Sequence, residues 1–234
     1  MIILALETSA KAASCAVGEN GKLISQYYQD CGLTHSRTLM PMVESMLKNS
    51  EVKKEDIGCA AVAVGPGSFT GLRIGVAAAK GFAWALDLPC CAVSTLEALA
   101  EQAAFAGKTI CAVMDARRKQ FYTAIFEPTD DGLRRLLPDC AISADELREK
   151  LKKIKKPILL VGDGTDLCYN ILQDSGIDLS PAPAHLKMQS AAGVLRVAER
   201  KLKRGETVTA DALLPNYLRL SQAERERLAG SDIK

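Results

Sequence analysis

Histidine, tryptophan and long apolar runs are scarce in this sequence of 234 residues. It contains two histidines, His35 and His185, and one tryptophan, and aromatic residues make up 5% of the chain. No apolar run approaches the roughly 20 residues that a membrane-spanning helix needs. The start, Met1 to Glu7, reaches an acid without a basic segment, which predicts a strand rather than a secretion signal. We therefore expect a cytoplasmic protein without a membrane segment.

Cysteine is present, but it lacks the spacing of a metal cage or of a disulfide framework. The eight cysteines include no Cys-x-x-Cys pair, and several lie in apolar stretches such as Ile110 to Val113. Such thiols are typical of the reduced, buried cysteines of cytosolic proteins. Because only two histidines are available, the sequence predicts no zinc site built from His and Cys.

A strong net charge of either sign is also lacking. Lys and Arg number 30 and Asp and Glu 28, so the formal charge is +2, which is too balanced for nucleic-acid binding by bulk charge alone. Two basic runs, 134–156 and 196–204, are typical of solvated helix faces, and direct RNA binding through them stays a weaker alternative. The chain is 48% hydrophobic and 25% charged, as in an ordinary globular protein.

The order of the predicted elements occurs twice along the chain. Each half reads strand, hairpin, helix, strand, glycine turn and helix. In the first half these elements are 2–8, 13–18 with 22–29, 36–49, 57–64, Gly65-Pro66-Gly67 and 70–86, followed by a strand at 90–93 and a helix to about 105. In the second half they are 109–114, 120–127 with 133–137, a helix from Ser143, 157–161, Gly162-Asp163-Gly164 and 166–172, followed by a helix at 190–203.

This duplication implies two similar α/β lobes with a cleft between them. Glu7 and Asp115 end the first strand of each half, and Gly65-x-Gly67 corresponds to Gly162-x-Gly164. The pattern is that of the actin, sugar-kinase and heat-shock ATPase fold, which is ribonuclease H-like. We expect an N-terminal lobe at 1–106 and a C-terminal lobe at 107–207. A C-terminal segment at 208–234 is expected to pack back on the first lobe.

The nucleotide-binding features of such a fold are poorly preserved. A phosphate hairpin needs glycine or small polar residues so that backbone N–H groups can approach the anion. Neither Thr8 to Ser14 nor Ala116 to Gln120 contains glycine. The Walker pattern Gly-x-x-x-x-Gly-Lys-Ser/Thr does not occur, because Gln102 stands five residues before Gly107-Lys108-Thr109, where that pattern requires glycine. Gly162 to Thr165 either holds a phosphate at a helix N-terminus or is only a strand-to-helix turn.

The segment Gly65-Pro66-Gly67-Ser68-Phe69-Thr70-Gly71-Leu72-Arg73-Ile74-Gly75 is the strongest local signal. It follows a strand and opens a helix, so it either binds an anion or forms a rigid turn with close helix packing. Gly71, Gly75 and Ala79 recur every four residues and predict a smooth helix face suited to a tight helix–helix contact.

The preceding helix carries three of the chain's six methionines. Proline is best tolerated in the first turn of a helix, so Pro41 predicts that this helix begins just before it, with Thr38 as the N-cap. The pattern alone favours a core-facing stripe, although methionine also suits adaptable partner surfaces. The stripe consists of Leu39, Met42, Val43, Met46 and Leu47, with Met40 beside it.

Four motifs, in this order, resemble the TsaB (YeaZ) family. They are His35-Ser36-x-x-Leu39-x-Pro41, the segment Gly65 to Gly75, Asp115-Ala116-Arg117-Arg118, and Pro215-x-Tyr217-Leu218-Arg219. Proteins of this family are partners in making threonylcarbamoyladenosine (t6A) on tRNA. They are non-catalytic relatives of TsaD, which transfers the threonylcarbamoyl group to the adenosine beside the anticodon. The resemblance implies the duplicated fold, a role in tRNA modification and no catalysis by this chain.

The resemblance also implies that this chain has no cofactor of its own. TsaD holds its metal with a His-x-x-x-His helix motif, and here His35 is followed four residues later by Leu39. ATP and the metal are therefore expected in the partner subunits. The family pattern is usually Asp-Ala-Arg-x-x-Glu-x-Tyr, but Gln120 stands where glutamate is usual while Tyr122 is kept, which makes this segment more basic.

The partners that the resemblance implies are TsaD, the small ATPase TsaE and a second copy of this chain, with tRNA reached indirectly through the complex. The methionine-striped and glycine-striped helices become the expected interface, which reverses the preference for a core stripe. The expected interface residues are His35, Leu39, Met40, Met42, Val43, Met46, Leu47, Gly71, Leu72, Ile74, Gly75, Ala78 and Ala79. Candidate anion or nucleotide contacts are Glu7, Thr8, Gly65, Pro66, Gly67, Ser68, Phe69, Thr70, Arg73, Asp115, Arg117, Arg118, Gly162 and Gly164.

Two classes of function stay open at this point. The first is a scaffold that holds TsaD in its active arrangement, and the poorly preserved phosphate hairpins and the missing second histidine favour it. The second is an ATP-binding kinase or ATPase, or a metallopeptidase-like enzyme, of the same fold. Its site would comprise Glu7, Asp115 and Gly162 to Thr165.

Overall fold

The computed structural model describes residues 1–130 and 132–219, and it contains two five-stranded sheets. The first sheet has the order β3-β2-β1-β4-β5 and the second has the order β10-β9-β6-β7-β8. The strands are β1 Ile2–Glu7, β2 Ala13–Glu19, β3 Lys22–Gln29, β4 Ile57–Gly65, β5 Cys90–Ser94, β6 Thr109–Asp115, β7 Gln120–Thr129, β8 Gly132–Ser143, β9 Ile158–Val161 and β10 Leu179–Pro181. The helices are α1 His35–Asn49, α2 Phe69–Leu86, α3 Thr95–Ala103, α4 Ala144–Leu151, α5 Thr165–Leu172, α6 Ala184–Lys187 and α7 Ala191–Lys203.

The two sheets repeat one arrangement, so the predicted duplication is confirmed. In each, the first strand pairs antiparallel with a hairpin and parallel with the strand that precedes the glycine turn. The first hairpin turns at Asn20 and Gly21, whose φ angles of 53° and 81° are those that an Asn-Gly hairpin turn requires. The predicted capping box is also present, since Ser143 and Glu146 cap each other's backbone N–H at the start of α4.

Helix α1 begins earlier than predicted. Thr34 is its N-cap and His35 its first residue, so Pro41 lies in the second turn and Thr38 is not the cap. A proline inside a helix costs roughly 3 kcal/mol. Burial of four side chains, each contributing about 2 kcal/mol, outweighs that cost. They are Leu39, Met42, Val43 and Met46.

Three further elements differ from the sequence prediction. Strand β8 continues to Ser143 rather than ending at Leu137, because it pairs with β7 along its whole length. Strand β10 and the four-residue helix α6 have no counterpart in the prediction. The segment between α5 and α7 is short and weakly patterned, and β10 exists through its parallel pairing with β9.

The helices on the inner faces of the sheets are exchanged between the two halves of the chain. α1 and α2 cover one face of the first sheet, and its other face is covered by α7, whose Val194 and Leu195 pack among Ile3 and Cys59. α3 in turn packs through Leu96 and Leu99 on the second sheet. The boundary expected near residue 107 thus falls between the two sheets along the chain. One face of each sheet is nevertheless covered by a helix from the other side of that boundary, α7 for the first sheet and α3 for the second.

Residues 207–219, here called the C-terminal strap, run back along the first lobe. Val208 exchanges two backbone hydrogen bonds with Cys90, of 2.8 and 2.9 Å, and Leu213 is fully buried in the first core. The Asn216 N–H donates to the Val64 carbonyl at 2.7 Å. The rest of the segment expected to pack there, 220–234, lies outside the described residues. Among the helices described, none is long and apolar enough to cross a membrane.

Candidate functional site

The glycine-rich turn after β4 packs directly on the turn after β1. Ser68 caps α2, its side chain accepting the Gly71 N–H at 3.3 Å, and its own N–H donates to the Ser9 carbonyl at 2.7 Å. The Thr8 hydroxyl donates to the Gly71 carbonyl at 2.8 Å. A Cβ on Gly67 would overlap Ser9. The glycines therefore serve backbone-to-backbone contact between the two turns.

The glycine stripe of α2 faces the interior of its own lobe. A Cβ on Gly71 would overlap the Thr8 carbonyl, and a Cβ on Gly75 would overlap the Thr8 hydroxyl. Ala79 on the same face is fully buried. The predicted helix–helix contact is therefore corrected, because the close neighbour of this stripe is the Thr8 turn and not a second helix.

The second lobe repeats this contact. Gly162 has a φ of 116°, and a Cβ there would overlap the Val113 carbonyl. A Cβ on Gly164 would lie 2.9 Å from the Met114 carbonyl carbon and 3.0 Å from the Asp115 nitrogen. The Gly164 N–H donates to the Val113 carbonyl at 3.2 Å, so this N–H is not free to bind a phosphate. This geometry is that of a strand-to-helix turn.

A buried carboxylate from each lobe lies at these turns, Glu7 in the first lobe and Asp163 in the second, close enough to influence each other electrostatically. Glu7 is fully buried; its Oε1 accepts the Ser9 N–H at 2.5 Å, and its Oε2 has no partner among the described residues. Asp163 accepts from the Gln189 amide at 3.1 Å. Burial raises the pKa of Glu7 to about 7, and the nearby Asp163 adds to the increase. Burial likewise raises the pKa of Asp163, with Asp115 contributing.

This cluster was only partly visible in the sequence. Glu7 and Asp115 were singled out because they end equivalent strands. Asp163 enters the sequence prediction only within the range Gly162 to Thr165, although an acid in a glycine turn opposite two others is a usable signal by itself. Gln189, 1% exposed, lies far along the chain in a segment without a motif, so nothing in the sequence indicated it.

The buried Glu7 carboxyl predicts a pH dependence of stability. Its pKa of about 7 in the fold exceeds the ordinary 4.5, so the folded state holds a proton that the unfolded state has lost between these two values. Stability from this group is present below pH 4.5 and is lost as pH rises to 7. The difference in unfolding free energy between Glu7→Gln and wild type is expected to grow by about 3 kcal/mol from pH 4.5 to 8.

Denaturant unfolding of both proteins across this pH range measures the change. Glutamine keeps an oxygen for the Ser9 N–H, so the comparison isolates the charge. Parallel stability curves for the two proteins would show that Glu7 is already ionised at pH 5.

The position that corresponds to a metal-binding histidine helix has a structural role here. The His35 Nε2 lies 2.8 Å from the Ala10 carbonyl, which ties the start of α1 to the β1–β2 turn. Leu39, four residues on, is 1% exposed in the core. Across 1–130 and 132–219, no group of three His, Cys, Asp or Glu residues is placed to hold a metal ion.

Most of the expected interface residues lie beneath the surface that they were expected to form. Residues buried in the fold offer little surface to a partner, so these positions are corrected to core positions that support the two helices. The buried ones are Leu39, Met42, Val43, Met46, Gly71, Leu72, Gly75 and Ala79, whereas His35, Leu47, Ile74 and Ala78 are partly exposed.

Other residues of α1 and α2 face the solvent. Met40 is 45% exposed and Trp84 is 80% exposed, and Ala77, Gly81 and Ala85 are exposed on the same helix as Trp84. These five residues are here called the outer α1–α2 face. The sequence analysis missed Trp84, although position 84 does not continue the four-residue spacing of Gly71, Gly75 and Ala79.

The strap joins the glycine turn to the turn after β6. Tyr217 stacks on Phe69 with ring centroids 4.4 Å apart, and its hydroxyl accepts from the Arg73 Nε at 2.9 Å. Two residues later, the Arg219 guanidinium donates to the Ala116 carbonyl at 2.7 Å. The Pro-x-Tyr-Leu-Arg motif thus contacts the glycine turn of the first lobe and the turn after β6 in the second.

The turn after β6 is basic and left-handed. Arg117, Arg118 and Lys119 are exposed and have φ angles of 61°, 54° and 57°, a conformation that residues other than glycine rarely adopt. The Asp115 side chain accepts the Arg117 N–H at 2.7 Å. Gln120, at the position where glutamate is usual, contacts this turn through its backbone, its N–H donating to the Arg117 carbonyl at 3.2 Å.

The duplicated sheets and their helices define the class of the protein as a two-lobed α/β fold of the actin, sugar-kinase and heat-shock ATPase type. Component A of the (R)-2-hydroxyglutaryl-CoA dehydratase of Acidaminococcus fermentans shares this fold, with a TM-score of 0.50 at 13% identity over 87% of this chain and 99% of that one. A Pseudomonas aeruginosa protein described as similar to peptidase YeaZ superposes with a TM-score of 0.81. It is 27% identical over 93% of this chain and 99% of its own.

Sequence comparison narrows the class to one family. The family model for TsaD, tRNA N6-adenosine threonylcarbamoyltransferase, matches residues 29–227. The tRNA threonylcarbamoyladenosine biosynthesis protein TsaB of Bacillus subtilis is 34% identical over 96% of both chains. That of Escherichia coli is 30% identical over 94% of this chain and 95% of its own. The chain belongs to the TsaB family, and it shares its domain family with TsaD.

Proposed function

We propose that this chain acts in t6A biosynthesis on tRNA as a non-catalytic partner of TsaD. The observation that carries the proposal is the full-length similarity to proteins named for this biosynthesis. The closed turns support the non-catalytic part. The Thr8 turn lies against the Gly71 backbone, and Gly164 lies against the end of β6, so the glycines of both turns are accounted for by close packing of the chain on itself.

The outer α1–α2 face is the proposed contact surface for TsaD or for a second copy of this chain. A tryptophan that is 80% exposed, surrounded by alanine and glycine on one helix, suits burial against another chain, because aromatic anchors carry much of the energy of protein interfaces. TsaE joins the pair. In this proposal ATP and the metal belong to the partner subunits, and the chain works in the cytoplasm, where tRNA is modified.

A reconstituted modification reaction tests the function. TsaD, TsaE, a TsaC-type enzyme that supplies threonylcarbamoyl-adenylate, threonine, bicarbonate, ATP and unmodified tRNA are combined with and without this chain. Nucleosides are then quantified by mass spectrometry. We expect t6A only when the chain is present, and Glu7→Gln is expected to support the same yield because Glu7 does no chemistry.

Two outcomes would contradict the proposal. Equal t6A with and without the chain would remove the partner role. A chain that hydrolyses ATP alone, with hydrolysis lost in Asp115→Ala, would instead favour the ATPase alternative, whose site comprises Glu7, Asp115 and Gly162 to Thr165.

A further inference from the structure

The basic turn after β6 has a charge that the surrounding structure does not neutralise. Among the described residues, no carboxylate lies within ion-pairing distance of the side chains of Arg117, Arg118 or Lys119. Other arginines do have such partners: Arg200 pairs with Glu101 at 2.7 Å and Arg135 with Glu97 at 2.8 Å. The nearby Asp115 accepts a backbone N–H of this turn, so the three cationic side chains remain available.

The backbone of this turn is held in an unfavourable conformation. Three successive residues other than glycine in the left-handed region cost on the order of 1 kcal/mol each. The turn is kept there by the Asp115 carboxylate, by the backbone pairing of Ala116 with Gln120 at 3.0 Å, and by Arg219 on the Ala116 carbonyl. Such strain is concentrated at functional sites, because stability alone would select glycine.

The strap adds cations on the same side of the molecule. Arg219 contacts the root of the turn, and Arg73 contacts Tyr217 two residues away. Four positive side chains therefore surround the turn and a fifth lies along the strap. Together they form a basic rim, here defined as Arg73, Arg117, Arg118, Lys119 and Arg219.

The neighbouring carboxylates limit where this rim can bind an anion. Glu7 and Asp163 are buried carboxylates that influence one another electrostatically, and the Asp115 carboxylate accepts the Arg117 N–H at the base of the turn. A phosphate near these carboxylates would be repelled, whereas a phosphate at the side chains of Arg117, Arg118 and Lys119 meets cations that have no ion-pair partner among the described residues. A ligand with many phosphates spread along a surface fits this arrangement, because each exposed cation can neutralise one phosphate.

We propose that the basic rim binds the phosphodiester backbone of RNA, so that this chain contacts tRNA directly. The choice of RNA rests on the proposed function, which supplies a tRNA to the complex. The contact is electrostatic and independent of base sequence. Its place is the turn between β6 and β7, and the basic run at 134–156 has no part in it.

Binding of unmodified tRNA to the full chain, alone and with TsaD, tests the rim. Fluorescence anisotropy is recorded from 50 to 200 mM salt for wild type and for Arg117→Ala/Arg118→Ala/Lys119→Ala. We expect the affinity of this variant to fall on the order of tenfold and the slope of log K against log salt to become shallower by about 2 to 3. Arg117→Lys/Arg118→Lys is expected to keep most of the affinity, since it keeps the charge.

The matched control is Lys150→Ala/Lys153→Ala/Lys155→Ala. These three lysines are exposed, have no ion-pair partner within the described part of the chain, and change the net charge by the same amount. We expect this control to bind within about twofold of wild type. Equal losses in both variants, or a loss in the control alone, would overturn the rim in favour of bulk charge or of the other basic run.

Two further readouts keep the outcome decisive. If the triple alanine variant has a lowered melting temperature, Arg118→Ala alone is measured, with an expected slope change of about 1. Millimolar Mg-ATP is added to the bound tRNA. Displacement of the tRNA from wild type, together with ATP binding that the turn variant has lost, would identify a nucleotide rather than RNA as the ligand.

The experiments distinguish an error in the basic rim from an error in the proposed function. Full t6A synthesis with wild-type tRNA affinity in the turn variant would remove the rim and leave the partner role intact. If the chain is dispensable for t6A while the turn variant loses tRNA binding, the partner role is wrong and the RNA site remains.

Discussion

Replacement of Trp84 by glutamate is expected to weaken pairing with TsaD, and of the chain with itself, by roughly a hundredfold. Trp84 is 80% exposed on the outer α1–α2 face, so its loss costs the monomer little. In the proposed interface it would be the main aromatic anchor, and truncating such an anchor typically costs about 2 to 4 kcal/mol. A carboxylate buried at the same place adds a desolvation cost.

Sedimentation or co-elution with TsaD measures this effect, and t6A yield follows it. Phe105→Glu is the matched control, because Phe105 is 75% exposed and lies just after α3, where its neighbours Ala104 and Ala106 pack against the core of the second sheet. It should pair normally. Undiminished pairing of Trp84→Glu, or equal losses in both variants, would contradict the proposed surface. A charge at Met46 is not a usable test, since Met46 is fully buried and the substitution would unfold the lobe.

Gly71→Ala is expected to lower the free energy of unfolding by about 4 kcal/mol. An added Cβ would overlap the Thr8 carbonyl, and this backbone atom cannot move freely, because the Thr8 hydroxyl and the Ser9 carbonyl are both bonded to the glycine turn. Overpacking against a fixed backbone usually costs 1 to 3 kcal/mol and in severe cases more. The higher helix propensity of alanine, about 1 kcal/mol, offsets little of it.

The same helix provides the control. Gly81 has nothing within 4 Å of where a Cβ would lie, so Gly81→Ala should gain up to about 1 kcal/mol from helix propensity. Urea unfolding of the two variants beside wild type measures both shifts. Similar changes for Gly71→Ala and Gly81→Ala would mean that the glycine stripe is not fitted to the Thr8 turn.

The local structure was predictable because its determinants are local. The Asn20-Gly21 turn, the Ser143 capping box and the strand that ends at each glycine turn depend on residues within a few positions of one another. The duplication followed from the order of these elements. The position of Pro41 within its helix was predicted wrongly, because the start of α1 depends on how much apolar surface the helix buries against the first sheet. That burial is a tertiary interaction and is not encoded in the neighbouring residues.

The surfaces were less predictable than the elements. An apolar stripe at helical spacing indicates that one face is covered, but it does not say whether the cover is the chain's own sheet or another molecule. For Met46 and Ala79 the cover is the chain's own core. The outer α1–α2 face is identified by the exposure of its side chains in the structure, and this exposure places Trp84 on it. The cluster of Glu7, Asp163 and Gln189 likewise depends on contacts between distant segments.

The exchange of α3 and α7 between the sheets has a consequence for how the chain folds during synthesis. The strands of the first sheet are complete once β5 has been made, yet the face formed by Ile3, Cys59 and Cys91 stays uncovered until α7 has left the ribosome. About 110 residues separate β5 from the end of α7. At ~5–20 residues per second this interval lasts on the order of ten seconds. During that time one apolar face of the first sheet is exposed and can aggregate with other chains. We therefore expect the nascent chain to need chaperone protection that the finished protein does not.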